Sequence, residues 1–250
     1  MCIRDSDRGV EKEEKEIVRD SIKEVLREGI DVSDKFPLID VGSIWKEGDF
    51  GRVEWYLEKA GKRIGSYGVQ YNAASILALC NQEPYQKIQP HIDIGIVSVD
   101  LYSEGLNFIY GITSPLFCLP PFWNLPAGSI ISTFRIKKWF RENYLPVLWN
   151  ISLHELGHIY GLPLRRYNVE MSLGRHCIRG DCVMGQCNVE REILWENEGK
   201  TEKRFISAEE IAVKSFIRKW NTGSAFCSDC REDLERSKRY WIKSPFNEEI

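Results

Sequence analysis

The stretch that most constrains this chain runs from residue 154 to residue 184 and reads HELGHIYGLPLRRYNVEMSLGRHCIRGDCVM. His154, Glu155 and His158 form an H-E-x-x-H motif. On a helix, residues four apart share a face one turn apart, so two imidazoles there can grip one divalent metal with Zn–N bonds of about 2.0–2.1 Å. The Glu between them sits where it can accept a proton from a water on that metal. The plainer alternative is an amphipathic helix that happens to carry two His and a Glu. The residues downstream favour metal. Gly161 comes three residues after His158, and a glycine there ends a helix and turns the chain back, where a third ligand can be delivered. The chain has 4 histidines, and His176 is the one downstream of His158. After it come Cys177, Cys182 and Met184, giving H-C-x-x-x-x-C-x-M. Far downstream, Cys227 and Cys230 form a C-x-x-C.

This combination resembles the archaemetzincins, whose signature is H-E-x-x-H-x-x-G-x-x-H-C-x4-C-x-M followed by C-x-x-C. The resemblance implies that His154, His158 and His176 bind a catalytic zinc, with Glu155 as general base. It implies that Cys177, Cys182, Cys227 and Cys230 bind a second, structural zinc, and that Met184 is the methionine of a turn beneath the catalytic metal. Weaker family stretches lie upstream: Gln70-Tyr71-Asn72-Ala73, Asp100-Leu101-Tyr102, Asn107-Phe108-Ile109-Tyr110-Gly111 and Ser132-Thr133-Phe134-Arg135. The likeness covers roughly residues 65 to 232, with gaps.

Two departures stand out. Family spacing puts the third histidine at position 164, which is Leu164 here; His176 lies 12 residues later. Residues 163 to 174 therefore read as an inserted loop, and the intact H-C-x4-C-x-M favours His176 as the ligand. Glu170 is the rival third ligand, in the manner of Glu-type zincins. Cys187 is a rival to Cys182 in the cysteine set. The spacer from Met184 to Cys227 is also longer than the family's. Lengthening a surface loop costs little, about 0.6 kcal/mol per doubling, so neither insertion forbids the metal sites.

Composition bounds the partners. A net charge of −3 gives no electrostatic reason to expect nucleic acid or an anionic membrane. Residues 7 to 16, DRGVEKEEKE, alternate in charge where a secretion signal needs an apolar core. The long uncharged run from Gly105 to Phe134 holds Pro115, Pro120, Pro121 and Pro126, which break a spanning helix. Of the 8 cysteines, four have metal-like spacing, and a reducing cytoplasm suits thiolates kept for zinc. Cys80, Cys118 and Cys187 read as small buried hydrophobes.

Along the chain, residues 10 to 28 read as an amphipathic helix stopped at Gly29. Residues 36 to 45 read as a strand, 50 to 62 and 70 to 81 as helices, and 92 to 99, 106 to 112 and 129 to 134 as strands. Such alternation predicts an α/β fold. Pro146 suits the first turn of the active-site helix, with Asn143 as its cap. Phe117, Phe122 and Trp123, in the proline-broken segment 113 to 128, read either as packing or as pocket lining. Residues 189 to 204 read as a charged, solvated excursion. Ser207 with Glu210 is a capping box opening a helix to about Trp220. The tail, 231 to 250, gives no functional reading.

The expectation is thus a metzincin-like α/β fold with a mixed twisted sheet, an active-site helix and a small C-terminal zinc-stabilised subdomain. Residues 1 to 35 form a charged tail and helix; residues 36 to 250 form one catalytic domain, divided near 161 and 162. The implied activity is zinc-dependent hydrolysis of peptide bonds in a peptide or protein substrate, with two zincs per chain and a cytoplasmic setting. The alternative is a zinc-stabilised binding or scaffold protein that keeps the fold without proteolysis; an intact Glu155 argues against it.

Overall fold

The computed structural model describes residues 2–4, 9–35, 38–40, 53–82, 91–114, 127–165, 175–185, 188–197 and 200–242. Its centre is a five-stranded sheet in the order β2 (Ile39–Asp40), β1 (Cys2–Arg4), β5 (Ile92–Val97), β8 (Ala127–Ser132), β7 (Gly111–Ser114). The first four run parallel, and β7 closes one edge antiparallel to β8. Strand β5 is IDIGIV and is buried at every position, as expected of a parallel strand covered on both faces.

The pleat sorts its side chains into two layers. Ile92, Ile94, Ile96 and, on β8, Ile131 pack with helices α1 (Lys12–Arg27) and α5 (Tyr144–Ile159). Val97 and, on β8, Ile130 face the opposite way, toward α2 (Val53–Lys59) and α3 (Ala73–Asn81). Each fully buried isoleucine contributes about 1.5–3 kcal/mol. Period-two alternation thus builds a helix–sheet–helix sandwich. Helix α1 lies against α5 through Val18, Ile22, Val25 and Leu26. Its end is closed by the buried ammonium of Lys238, which lies within hydrogen-bond reach of the Val25 and Leu26 carbonyls in the helix and of the Glu28 and Ile30 carbonyls beyond it. Gly29 comes next, with φ +67°.

Several sequence expectations shift. Residues 70 to 81 are not all helix. Gln70–Asn72 belong to β4 (Gly68–Asn72), which pairs with β3 (Lys62–Gly65) and with β6 (Asp100–Tyr102). Asn72 then caps α3, its side chain accepting from the Ser75 amide at 2.9 Å. The strand expected over 106 to 112 starts only at Gly111, and the one expected over 129 to 134 ends at Ser132, with α4 (Phe134–Phe140) beginning at once. Of 36 to 45, Ile39–Asp40 is strand, and most of the rest lies outside the described residues. The opening residues, which carry no pattern, supply the sheet's β1. The charged stretch 189 to 204 forms the hairpin of β9 (Asn188–Asn197) and β10 (Lys200–Ile206). The C-terminal region forms α7 (Ser228–Ile242) after α6 (Ala208–Thr222). Among the described residues, no helix is long and apolar enough to cross a membrane.

The four upstream stretches converge. Arg135 donates to both oxygens of Asp100, at 2.6 and 2.8 Å, and Gln70 donates to Asp100 at 3.0 Å and to the Asn107 carbonyl at 2.9 Å. The Arg135 guanidinium lies 4.3 Å from the Phe108 ring centre. A buried bidentate pair supported by a further hydrogen bond, here from Gln70, is the form in which buried charge is tolerated. It fixes the segment that runs from β6 through Tyr110 into β7, and β7 borders the functional site.

Candidate metal centres

Helix α5 carries His154, Glu155 and His158. Val147, Leu148, Ile151, Leu153, Leu156 and Ile159 are buried and seat it on the core. Asn143 precedes the helix without a side-chain capping bond; its amide instead reaches Glu209 at 3.2 Å. The helix ends at Gly161, φ +77°. The Gly161 amide donates to the His158 carbonyl at 2.9 Å and the Leu162 amide to the Gly157 carbonyl at 3.1 Å. This is a Schellman turn, and its left-handed residue favours glycine. The turn has a direct effect on the site: it brings the Leu162 carbonyl to His158 Nδ1 at 2.8 Å. His154 Nδ1 makes the matching contact with the Val183 carbonyl at 2.9 Å.

A carbonyl only accepts, so both Nδ1 atoms carry the proton and both Nε2 atoms present lone pairs. Those two Nε2 atoms face each other 3.0 Å apart. Burial pushes the His154 pKa down to about 4 and that of His158, with His154 beside it, down to about 3. Both rings are therefore neutral near pH 7, the ligand form. His176 completes the set. Its ring centre is 5.1 Å from that of His154 and 5.0 Å from that of His158, and the three ligand atoms lie within 4.8 Å of one another. Two lone pairs converging at that distance repel unless a cation lies between them. Nitrogens sharing one tetrahedral zinc sit about 3.3 Å apart, so the donor set fits the ion.

The four cysteines also converge. Cys177, Cys182, Cys227 and Cys230 have their sulfurs within 4.8 Å of one another, all buried. Cys177 and Cys227 Sγ are 3.7 Å apart, against about 3.8 Å for two thiolates on one tetrahedral zinc. The Arg179 amide points at Cys177 Sγ (3.5 Å) and the Cys227 amide at Cys182 Sγ (3.3 Å). Cys227 borders the start of α7 and Cys230 lies in its first turn, where the helix dipole favours thiolate. Hydrogen bonds from the three neighbouring thiols hold Cys227 well below the usual thiol range. Those same contacts hold Cys230 up, and burial holds Cys182 up. A divalent ion among the four sulfurs favours the thiolate form of each.

Met184 is fully buried under α5 at Gly157, where a β-carbon would come within 3.1 Å of its methyl group. The Met184 carbonyl accepts from the Cys177 amide at 2.8 Å, tying the methionine turn to the cysteine set. Of the inserted loop, residues 163 to 165 are described. Asp233 on α7 accepts from the Leu164 amide at 3.0 Å and from Arg165 Nε at 2.6 Å. Glu170, Cys187, Cys118, Phe117, Phe122 and Trp123 lie outside the described residues. Cys80 is buried in the α2–α3 layer.

Glu155 turns toward β7. Burial raises its pKa to about 7, against a lowering hydrogen bond from Thr113. Thr113 Oγ1 is 2.6 Å from Glu155 Oε2 and 3.1 Å from both the Glu155 carbonyl and Ser129 Oγ. A β-carbon on Gly111 would lie 2.7 Å from Glu155 Oε1. Gly111 and Thr113 are not among the site residues expected from sequence, since a small residue and a threonine on a short strand carry no local signal of what they face.

No family model matches the chain. It is 32% identical over 100 residues to the archaemetzincin of Pyrococcus furiosus, a match covering 36% of this chain and 40% of that protein. It is 26% identical over 124 residues to the archaemetzincin of Archaeoglobus fulgidus, covering 50% and 59%. The chain thus spans about two fifths of the length of the first of these relatives. In fold it is similar to the crystal structure of archaemetzincin from Methanopyrus kandleri, with TM-score 0.53 at 20% identity over 95% of this chain and 94% of that one. It is likewise similar to a zinc-dependent peptidase from Methanocorpusculum labreanum, with TM-score 0.51 at 16% identity over 94% and 100%. The chain is thus related to the archaemetzincins, through part of its sequence and through nearly the whole of its fold.

Proposed function

We propose that this chain is a zinc-dependent peptidase. His154, His158 and His176 hold one zinc, Cys177, Cys182, Cys227 and Cys230 hold a second, and Glu155 is the general base. The observation that carries this reading is the carboxylate of Glu155, set on one helix between two neutral imidazoles whose Nε2 atoms converge at 3.0 Å. Zinc bound to the histidines supplies a Lewis acid for a substrate carbonyl and makes hydroxide available near neutral pH.

The chain's own groups do the rest. The Val183 and Leu162 carbonyls fix the tautomer and tilt of two ligands, the outer support that metal-bound imidazoles require. Glu155, with its pKa raised to about 7, both accepts and releases a proton near neutrality, as peptide hydrolysis needs when the amine leaves. Four sulfur donors would fill the tetrahedral shell of a zinc held there, which suits a structural role.

The test is hydrolysis of a peptide library by zinc-loaded wild type and by Glu155→Gln. The expected result is turnover by wild type and a loss of about 10²–10⁴-fold in the variant, with both proteins holding the same metal. Wild type that binds zinc and cleaves nothing supports the scaffold reading.

A further inference from the structure

We infer that Thr113 is a positioning residue for Glu155, and that Gly111 beside it provides the space in which the Glu155 carboxylate sits. This rests on Glu155 being the general base. Helix α5 fixes the Cα of Glu155 but leaves its three side-chain torsions free. The opposing strand fixes the carboxylate. Residues 111 and 113 lie two apart on β7 and so project to the same face. One oxygen, Oε2, is located by the Thr113 hydroxyl at 2.6 Å. The other, Oε1, lies against Gly111, where any β-carbon would come within 2.7 Å of it and 2.8 Å of the carboxyl carbon.

Thr113 is itself held. It is paired across the sheet with Ser129, which is fully buried and whose Oγ is 3.1 Å from Thr113 Oγ1. A hydroxyl carries one hydrogen. With the carboxylate as its nearest acceptor, Thr113 gives that hydrogen to Glu155 and is free to accept from Ser129. Branching at Cβ stiffens χ1 of threonine, so the donor stays aimed. The edge strand of the sheet is thereby a working part of the site, placing the base before any substrate arrives.

The experiment compares zinc-loaded wild type, Thr113→Val, Thr113→Ser and Glu155→Gln in peptide hydrolysis, together with the ¹³C resonance of the Glu155 carboxyl, assigned by its absence in Glu155→Gln. Thr113→Val keeps the shape and removes the hydroxyl. It is expected to lower kcat about 10–100-fold with KM nearly unchanged, and to shift the carboxyl resonance. Thr113→Ser restores both toward wild type. If Thr113→Val does not fold or does not hold its zinc, Gly111→Ala puts the same question by displacing the carboxylate sterically, with the same expected loss in kcat. A folded, zinc-replete Thr113→Val with wild-type kcat and an unmoved resonance overturns the inference. Wild-type turnover in Glu155→Gln removes the general-base reading instead, and the resonance then decides the seat on its own.

Discussion

His176 and Cys177 are consecutive in the chain, yet they face different donor sets: His176 lies with His154 and His158, and Cys177 with Cys182, Cys227 and Cys230. Cys177 is in a β-bridge with Gly185, and neighbours in extended backbone point to opposite sides. One short segment therefore contributes a donor to each of the two sets.

Zinc held in both sets would make them interdependent. Cys230→Ser is expected to lose the zinc of the cysteine set and to weaken zinc binding at the histidines about 10–100-fold, because His176 loses its anchor. Metal titration monitored separately at the two sites checks this. Unchanged affinity at the histidines would show that the segment is held by other contacts.

Gly161 sets His158 through the Leu162 carbonyl. Gly161→Ala places a side chain at φ +77° and is expected to cost about 1 kcal/mol in stability. It also disturbs the 2.8 Å contact to His158 Nδ1. Denaturant melts and zinc affinity, measured on one preparation, should move together.

Asp100 neutralises Arg135 in a site where both side chains are almost fully buried. Asp100→Asn leaves that guanidinium buried without its partner charge and is expected to destabilise the fold by about 3–5 kcal/mol. Thermal melts test it, and a loss below about 1 kcal/mol would place the pair with weak surface bridges.

The metal-free chain should show the cost of burying neutral imidazole. His158 has a pKa of about 3 when folded, depressed by burial and by His154, against 6.5 as its ordinary value. Between these values the unfolded chain binds a proton that the folded chain does not, so stability falls as pH is lowered from about 6.5 toward about 3. Relative to His158→Leu, wild type should lose up to about 1.4 kcal/mol per pH unit across that window. Parallel stability curves for the two proteins would contradict this.

The two donor sets are legible in the sequence because metal chemistry demands particular residues at particular spacings. His154, Glu155 and His158 are local, and the H-C-x4-C-x-M string marks its own segment. The sheet is legible where burial leaves a pattern, as in the isoleucines of β5. The pattern misleads where the partner strand decides. Gln70 and Tyr71 look helical beside Ala73–Asn81, but β3 and β6 claim them. The hairpin of β9 and β10 is too charged to display a strand pattern. Gly111 and Thr113 are invisible in the sequence because their meaning lies in Glu155, which the fold brings to Thr113 from 42 residues away.

The most direct measurement is zinc per chain in purified wild type and in His176→Ala. We expect two in wild type and one in the variant, with the cysteine set still filled. Two zincs retained in the variant would remove His176 as a ligand, and one zinc in wild type, unchanged by the substitution, would leave the cysteine set as the single metal site.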